Sequence, residues 1–279
     1  MIEVREVPRI PRRIADSHKG TYGRVLVVAG SRAMPGAAVL CGSAALRGGA
    51  GLVQVATPSA AWAVVAAGNP CYTTFPWEEP SASAMIGTVA RLADVFAVGP
   101  GLGHEAGLLV KTLLHSHEEK PMVLDADGLN VLGVEPVEIT NRPGPLVLTP
   151  HPGEFARLLG KTRDEVQAHR EDLAVPFAAR HRIVLLLKGH NTLVTDGERL
   201  YRNATGNPGM ATGGTGDVLT GVIAALIGQG FSAFDAAVLG AWVHGRAGDL
   251  AAAELGQTAL TALDLLDYFP QSLREREVA

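Results

Sequence analysis

At 279 residues, with 47% hydrophobic and 19% charged residues and a formal net charge of −4, the chain has the make-up of a well-packed globular protein with a sizeable core. That balance excludes a disordered chain and leaves no basic footprint for nucleic acid. No run of about 18 apolar residues reads as a membrane span, and the charged, proline-broken start MIEVREVPRIPRRIADSHKG lacks the apolar core of a signal peptide, so no membrane contact and a cytoplasmic setting are expected.

After this basic arm, Arg24 to Gly30 (RVLVVAG) reads as a strand ending in glycine, and Ala37 to Arg47 as a helix of small residues. Leu52 to Thr57 is a second strand and Ala60 to Ala67 a second helix. Further strands are predicted at Asp94 to Gly99, Pro121 to Leu124, Leu146 to Thr149 and Ile183 to Leu187, each closed by a polar, turn-forming loop. Helices are predicted between them at Glu105 to His115, Glu154 to Leu159 and Arg163 to Arg180, the last kinked or shortened at Pro176. Unbroken apolar strands alternating with helices indicate a mostly parallel sheet covered on both faces.

Past Lys188 the pattern changes. Asn191 to Thr195 and Arg199 to Asn203 flank Asp196-Gly197, a hairpin pair, which predicts an antiparallel edge to the sheet. Next comes a glycine-dense loop, and after it helices near Ala233 to Leu255 and Leu260 to Tyr268, before a charged tail expected to fray. With short connections throughout and no repeat or linker, residues 1–279 read as one α/β domain. Cys41, in an apolar helical stretch, and Cys71, between Pro70 and Tyr72, read as packing residues rather than metal or redox groups.

The loop NATGNPGMATGGTGD is the candidate active site. Gly206, Gly209, Gly213, Gly214 and Gly216 let the backbone turn its N–H groups inward, and a buried helix starts at about Asp217. Helix N-termini bind anions, so a phosphate would lie beside the Asp217 carboxylate, which could take a proton from an attacking hydroxyl. A plain helix cap is the alternative for Asp217. Lys188-Gly189-His190-Asn191-Thr192 follows the most apolar strand and could address a nucleotide's phosphates, since a charged lysine there needs a partner; an ordinary turn is the alternative. His151, fixed between Pro150 and Pro152, suits a binding residue or a solvated loop. Asp125, Asp127 and Asn130 could hold Mg²⁺ through water or simply form turns. Pro100 to Gly103 and Gly36-Ala37-Ala38 lack side chains that would block a flat ligand, yet no G-x-G-x-x-G or Walker A sequence is present. His244 reads as a partnered core histidine outside the site.

In order along the chain, KGTYGRVLVVAGS, GAAVLCGSAALRGGAGLV, VGPGLG, LDADGLN, LTPHPGEFARL, LLKGHNTLV and NPGMATGGTGDVLTG resemble the NAD(P)H-hydrate dehydratases over Lys19 to about Ala252. The resemblance implies a ribokinase-like three-layer αβα sandwich with a mostly parallel central sheet. It implies dehydration of the S-form of NAD(P)H hydrate, with ADP as co-substrate converted to AMP and phosphate, and Mg²⁺ as cofactor. The metal ligands stay unassigned. Asp217 resembles the acid/base residue, and Gly213, Gly214, Thr215 and Gly216 resemble the anion hole. Lys188, Gly189, His190, Asn191, Thr192 and Gly216 resemble the adenine-nucleotide contacts, and Ala38, Gly103, His151 and Asp217 the contacts to the hydrate. The family also has two-part chains with a leading epimerase domain; only a short arm precedes residue 19 here, so the epimerase is expected to be a separate protein. A homo-oligomer is expected, a tetramer by resemblance, with small-residue faces around Ala37 to Ala50 and Ala236 to Ala253 as candidate contacts, or equally as internal helix contacts. The competing enzyme reading is a vitamin-precursor kinase of the same fold, of hydroxyethylthiazole or pyridoxal type; a non-enzymatic nucleotide sensor would not need Asp217 beside the phosphate.

Overall fold

The computed structural model describes residues 1–103, 106–134, 136, 139–140 and 142–278. Their strands form a ten-stranded sheet in the order β1-β10-β9-β8-β7-β6-β5-β2-β3-β4. These are β1 (Ile2–Val4), β2 (Arg24–Val28), β3 (Leu52–Pro58), β4 (Thr73–Trp77), β5 (Val95–Val98), β6 (Met122–Leu124), β7 (Leu146–Leu148), β8 (Val184–Leu187), β9 (Leu193–Thr195) and β10 (Arg199–Arg202). Only β9 runs against its neighbours, pairing antiparallel with β8 and β10, as the Asp196-Gly197 hairpin predicts. The hairpin is not the outermost element, however: β1 adds outside it, parallel to β10, with Ile2 opposite Arg199.

The strand side chains separate into two cores because successive residues point to opposite faces. Val25 and Val27, Val95 and Ala97, Val123, Val147 and Val184 join one core with helices α1 (Pro35–Arg47), α2 (Ser59–Gly68), α9 (Thr215–Gly228), α10 (Ala233–Leu255) and α11 (Ala262–Arg274). Leu26, Phe96, Met122, Leu124, Leu146, Leu148, Leu185 and Leu187 join the other, with α3 (Ala82–Ala90), α4 (Gly107–Ser116), α5 (Asp127–Asn130), α6 (Pro152–Leu159), α7 (Arg163–Ala168) and α8 (Arg170–His181). The result is a three-layer αβα sandwich. On the first face small strand residues meet small helix residues, so helices lie close to the sheet and to one another.

That closeness is tightest where α1 crosses α9. A Cβ added at Gly221 would lie 2.1 Å from the Cys41 carbonyl oxygen, and one at Gly48 would lie 2.9 Å from the Ala225 methyl. Ala38, Cys41, Ala44 and Ala45 of α1 and Ala237, Ala241, Ala247 and Ala251 of α10 are buried in the same internal core. The small-residue faces expected to meet another subunit are therefore used largely within the chain. Cys41 packs there as expected, and burial, reinforced by Asp217 and Asp125, pushes its thiol well up; Cys71 is exposed.

Several boundaries differ from expectation. The predicted Arg163 to Arg180 helix divides at His169, whose N–H closes α7 on the Glu165 and Val166 carbonyls, while Pro176 lies inside α8. The predicted start at Glu105 lies outside the described residues. The charged tail is docked: α11 runs to Arg274, the Arg276 guanidinium binds the Val7 and Pro8 carbonyls, and Ile10 bridges to Glu277.

Gly221→Ala measures the helix crossing. Alanine favours an isolated helix by about 1 kcal/mol, but overpacking against a backbone carbonyl costs about 1–3 kcal/mol. Urea denaturation is expected to show a net loss of stability, and a more stable variant would refute the close contact.

Candidate active site

The glycine loop is fixed to α10 before it reaches α9. The Asp249 carboxylate accepts from the Gly206 N–H at 2.9 Å and from the Asn207 amide at 3.1 Å, and the Thr205 hydroxyl donates to the Trp242 carbonyl at 3.0 Å. Met210 fills the notch at Gly248, where a Cβ would lie 2.3 Å from its sulfur. Gly214 then takes φ +91°, a left-handed conformation suited to glycine, and α9 begins. Among the described residues no side chain caps α9, so the first-turn N–H groups stay available to an anion. The Thr215 hydroxyl faces back to the Met210 and Thr212 carbonyls, both at 3.2 Å. Behind the turn, His244 Nε2 lies 2.8 Å from the Thr215 carbonyl, to which it donates; desolvation pushes this imidazole down to about 4. His244 is thus partnered, as expected, and its partner belongs to the site.

Lys188 reaches the same turn from the end of β8. A Cβ on Gly216 would lie 3.0 Å from Lys188 Nζ. The lysine's partner is not left to a phosphate: Nζ donates to Asp125 Oδ1 at 2.6 Å, and the buried Thr220 hydroxyl donates to Asp125 Oδ2 at 2.8 Å. The partner that the lysine was expected to find in a phosphate is thus already supplied by Asp125. Thr220 and Glu154 were not assigned to the site from the sequence, and Asp125 was offered there only as a magnesium ligand or turn residue; the one polar residue in the run VLTGVIAALI, Thr220, was the available signal.

Asp127 is held by the Gly103 N–H at 2.9 Å and the Asn130 amide at 3.1 Å, and Asn130 also meets Arg157. Each oxygen of Asp125 and of Asp127 already accepts one hydrogen bond, and among the described residues no group of three or more His, Cys, Asp or Glu forms a cage for a metal ion. His151 caps α6: its Nδ1 accepts from the Gly153 and Glu154 N–H groups, while Glu154 accepts from the His151 N–H at 2.8 Å. The ring's other nitrogen stays on a half-exposed side chain, 3.4 Å from Glu154 Oε1.

Gly189 to Thr192 form the turn after β8. His190 and Asn191 are exposed, Asn191 has φ +52°, and the Thr192 hydroxyl donates to the Gly189 carbonyl at 2.9 Å. Arg170 steadies the turn through the Leu187 and Lys188 carbonyls at 3.0 and 3.2 Å. Ala38 is fully buried against Gly30, so it presents no surface of its own; its half-buried neighbour Ala37 and exposed Met34 border Gly101. Leu40 of the same helix borders Gly214. The start of α1 therefore lies between the Gly99–Gly103 loop and the glycine loop, at the point where strand order reverses between β2 and β5.

Asp217, in the first turn of α9, carries the largest consequence. Burial first, then Asp125 and Asp127, raise its carboxyl from an ordinary 3.8 to about 7, against the opposing pull of Lys188. Burial likewise raises Glu154, opposed by Lys188 and helped by Asp125. A base poised near neutrality, one turn of backbone donors and a lysine suit proton removal coupled to phosphoryl transfer.

The profile of the NAD(P)H-hydrate dehydratase family matches residues 25–271. A bifunctional NAD(P)H-hydrate repair enzyme of Moorella thermoacetica is 48% identical over 280 residues, covering 96% of this chain and 52% of that protein. The chain thus spans about half the length of the bifunctional relatives it matches. An ADP-dependent (S)-NAD(P)H-hydrate dehydratase of Neisseria meningitidis is 41% identical, covering 85% of this chain and 80% of that protein. The crystal structure of an ADP/ATP-dependent NAD(P)H-hydrate dehydratase from Bacillus subtilis, co-crystallized with ATP/Mg²⁺, superposes with TM-score 0.85 at 33% identity, covering 96% of this chain and 95% of that one. The fold is ribokinase-like, as expected from the sequence.

Asp217→Asn tests the electrostatics without any ligand. The folded protein binds the Asp217 proton more tightly than the unfolded chain, so the group's contribution to stability is full below about 4 and is lost as pH rises through about 7. Asparagine removes that loss. Relative to wild type the variant is expected to gain stability by on the order of 1–4 kcal/mol at pH 8 and little at pH 4, read by denaturation at both pH values. An equal difference at the two would refute the raised carboxyl.

Proposed function

From the chain's membership of the NAD(P)H-hydrate dehydratase family, we propose that it dehydrates the S-form of NAD(P)H hydrate to NAD(P)H, converting ADP to AMP and phosphate. The observation that carries the reading is Asp217, raised to about 7, in the same uncapped helical turn that presents N–H groups to an anion. The substrate hydroxyl lies against Asp217, which takes its proton as the oxygen attacks the terminal phosphoryl of the nucleotide. Gly213, Gly214, Thr215 and Gly216 stabilise the charge on that phosphoryl, and AMP departs. The phosphorylated oxygen then leaves as phosphate with the C–O bonding electrons, while the adjacent carbon gives up a proton and the double bond returns. Gly189 to Thr192 hold the nucleoside end; Gly103, His151 and the start of α1 near Ala38 face the hydrate.

Mg²⁺ is expected with the nucleotide, an ion that keeps several waters and is held by substrate phosphates with one or two carboxylates; Asp125 and Asp127 are the carboxylates at the strand end that would hold it, through water, where it would neutralise phosphate charge. A homo-oligomer, tetrameric by resemblance, is proposed from the resemblance, and the cytoplasmic setting from the sequence. Among the described residues no helix is long and apolar enough to cross a membrane. The vitamin-kinase reading loses to the family match, which spans the glycine loop and the strand ends together.

The loop's physics does not choose ADP over ATP, since a helix N-terminus stabilises whichever terminal phosphoryl lies there. ADP is taken from the named Neisseria relative. With NADH hydrate, Mg²⁺ and ADP, near-ultraviolet absorbance of the dihydronicotinamide is expected to return, with AMP and phosphate formed, and much less with ATP. Asp217→Asn is expected to slow this by about 10² or more. No recovery with either nucleotide, alongside phosphorylation of a thiazole or pyridoxal alcohol, would overturn the reading.

A further inference from the structure

Residues 188 to 192 are contiguous, yet the structure sends them to different places. The turn from Gly189 to Thr192 is exposed or half-exposed and closed on itself, with Thr192 bonded back to Gly189. The Lys188 side chain leaves that turn. Its ammonium sits 2.6 Å from buried Asp125 and beside Gly216 in the first turn of α9, so close that a Cβ there would approach it to 3.0 Å. Arg170 fixes the backbone from which it springs by binding the carbonyls of Leu187 and Lys188. Asp125 is itself fixed on its other oxygen by Thr220, one helical turn past Gly216.

We propose that Lys188 is the cation that meets the terminal phosphoryl group at the start of α9, and that Asp125 and Thr220 are positioning residues that keep its ammonium there. The nucleoside end of the nucleotide is left to Gly189–Thr192. The identity of the nucleotide rests on the dehydratase reading. Two physical points support the division. A lysine is a point charge on a flexible stem, so without a fixed partner it would follow whichever phosphate lay nearest. Buried Asp125 supplies that partner, with one oxygen for Lys188 and one for Thr220. Gly216 supplies the second: any side chain at that position would press on the ammonium, and its absence lets cation and backbone N–H groups address one anion. Asp217 and Glu154 also feel this group, so the lysine is the cation among carboxylates whose mutual repulsion it offsets.

The test compares two ligands that differ by the phosphoryl group in question. In calorimetric titrations, Lys188→Met is expected to weaken ADP binding by about tenfold or more while AMP binding stays within about twofold. Equal losses for both nucleotides would place Lys188 at the nucleoside end and overturn the inference, as would no loss for either. Thr220→Val, of nearly the same shape, is expected to lower kcat by about tenfold with the KM for ADP nearly unchanged, and Thr220→Ser to restore it. Unchanged kcat in Thr220→Val would remove Thr220 and its bond to Asp125 from the positioning role. Wild-type protein separates the two levels of the argument: turnover with ADP together with equal losses in Lys188→Met sinks only this inference, whereas failure of wild type to bind ADP sinks the dehydratase reading with it.

Discussion

The backbone of α9 lies almost against the backbone of α1, and the turn at the head of the crevice is positioned by that approach. Gly221 leaves room for the Cys41 carbonyl, and the small residues of α1 allow the same helix to pass the glycine loop at Leu40 and Gly214. With its middle pinned in this way, α9 can only present its N-terminus at the carboxyl ends of the strands. The loop that leads into it is tied to α10 by Asp249, Thr205 and Met210, and the first turn is tied from behind by His244. An uncapped turn is unfavourable by itself. It persists because the surrounding core leaves the turn no other conformation.

Charge is the second constraint, and it follows from the first. Asp125, Asp127, Glu154 and Asp217 are gathered at the strand ends with Lys188 among them. Burial, and after it the repulsion that one ammonium cannot offset, appears as retained protons, on Asp217 to about 7 and on Glu154 in the same direction. The pair with the shortest contact, Lys188 and Asp125, satisfies itself and leaves Asp217 exposed to the surplus. Together with burial this makes Asp217 a carboxyl that titrates near neutrality, and above that pH it leaves the folded state less stable than an uncharged residue would. Function and stability pull apart at this one side chain.

Much of the architecture was legible because its signals are local. Ile183 to Leu187 is apolar on both faces and could only be a buried strand, and the glycine loop followed by VLTGVIAALI could only be a turn feeding a buried helix. β1, β4 and α3 were not legible. β1 is three largely exposed residues, and β4 is a sheet-edge strand, TTFPW, with a proline and only Trp77 buried, so neither shows the apolar run that marks the central strands. In the site, backbone-based features could be read from glycine spacing, whereas the Lys188–Asp125 pair could not. Its members are 63 residues apart in sequence and meet only because β6, β7 and β8 are neighbours in the sheet. Asp217 was legible as a residue, but its raised carboxyl depends on burial in the folded crevice and on Asp125 and Asp127 arriving from another strand end.

A reaction that must move a proton and a phosphoryl group together needs the base and the anion donors at a constant separation. In this fold both come from one helical turn: the N–H groups from Thr215 and Gly216 onward and the carboxylate of Asp217 are consecutive in α9. A helix rises about 1.5 Å per residue, so these groups lie within one turn and move as a unit. A shift of α9 along its axis would carry donors and base together, changing their distance to the ligands but not to each other. The groups that come from elsewhere, Lys188 and Gly103, are joined to the sheet through Asp125 and Asp127, two residues apart on a single loop. The crevice therefore has two rigid halves, the first turn of α9 and the DADG loop after β6, bridged directly by the Thr220–Asp125 hydrogen bond.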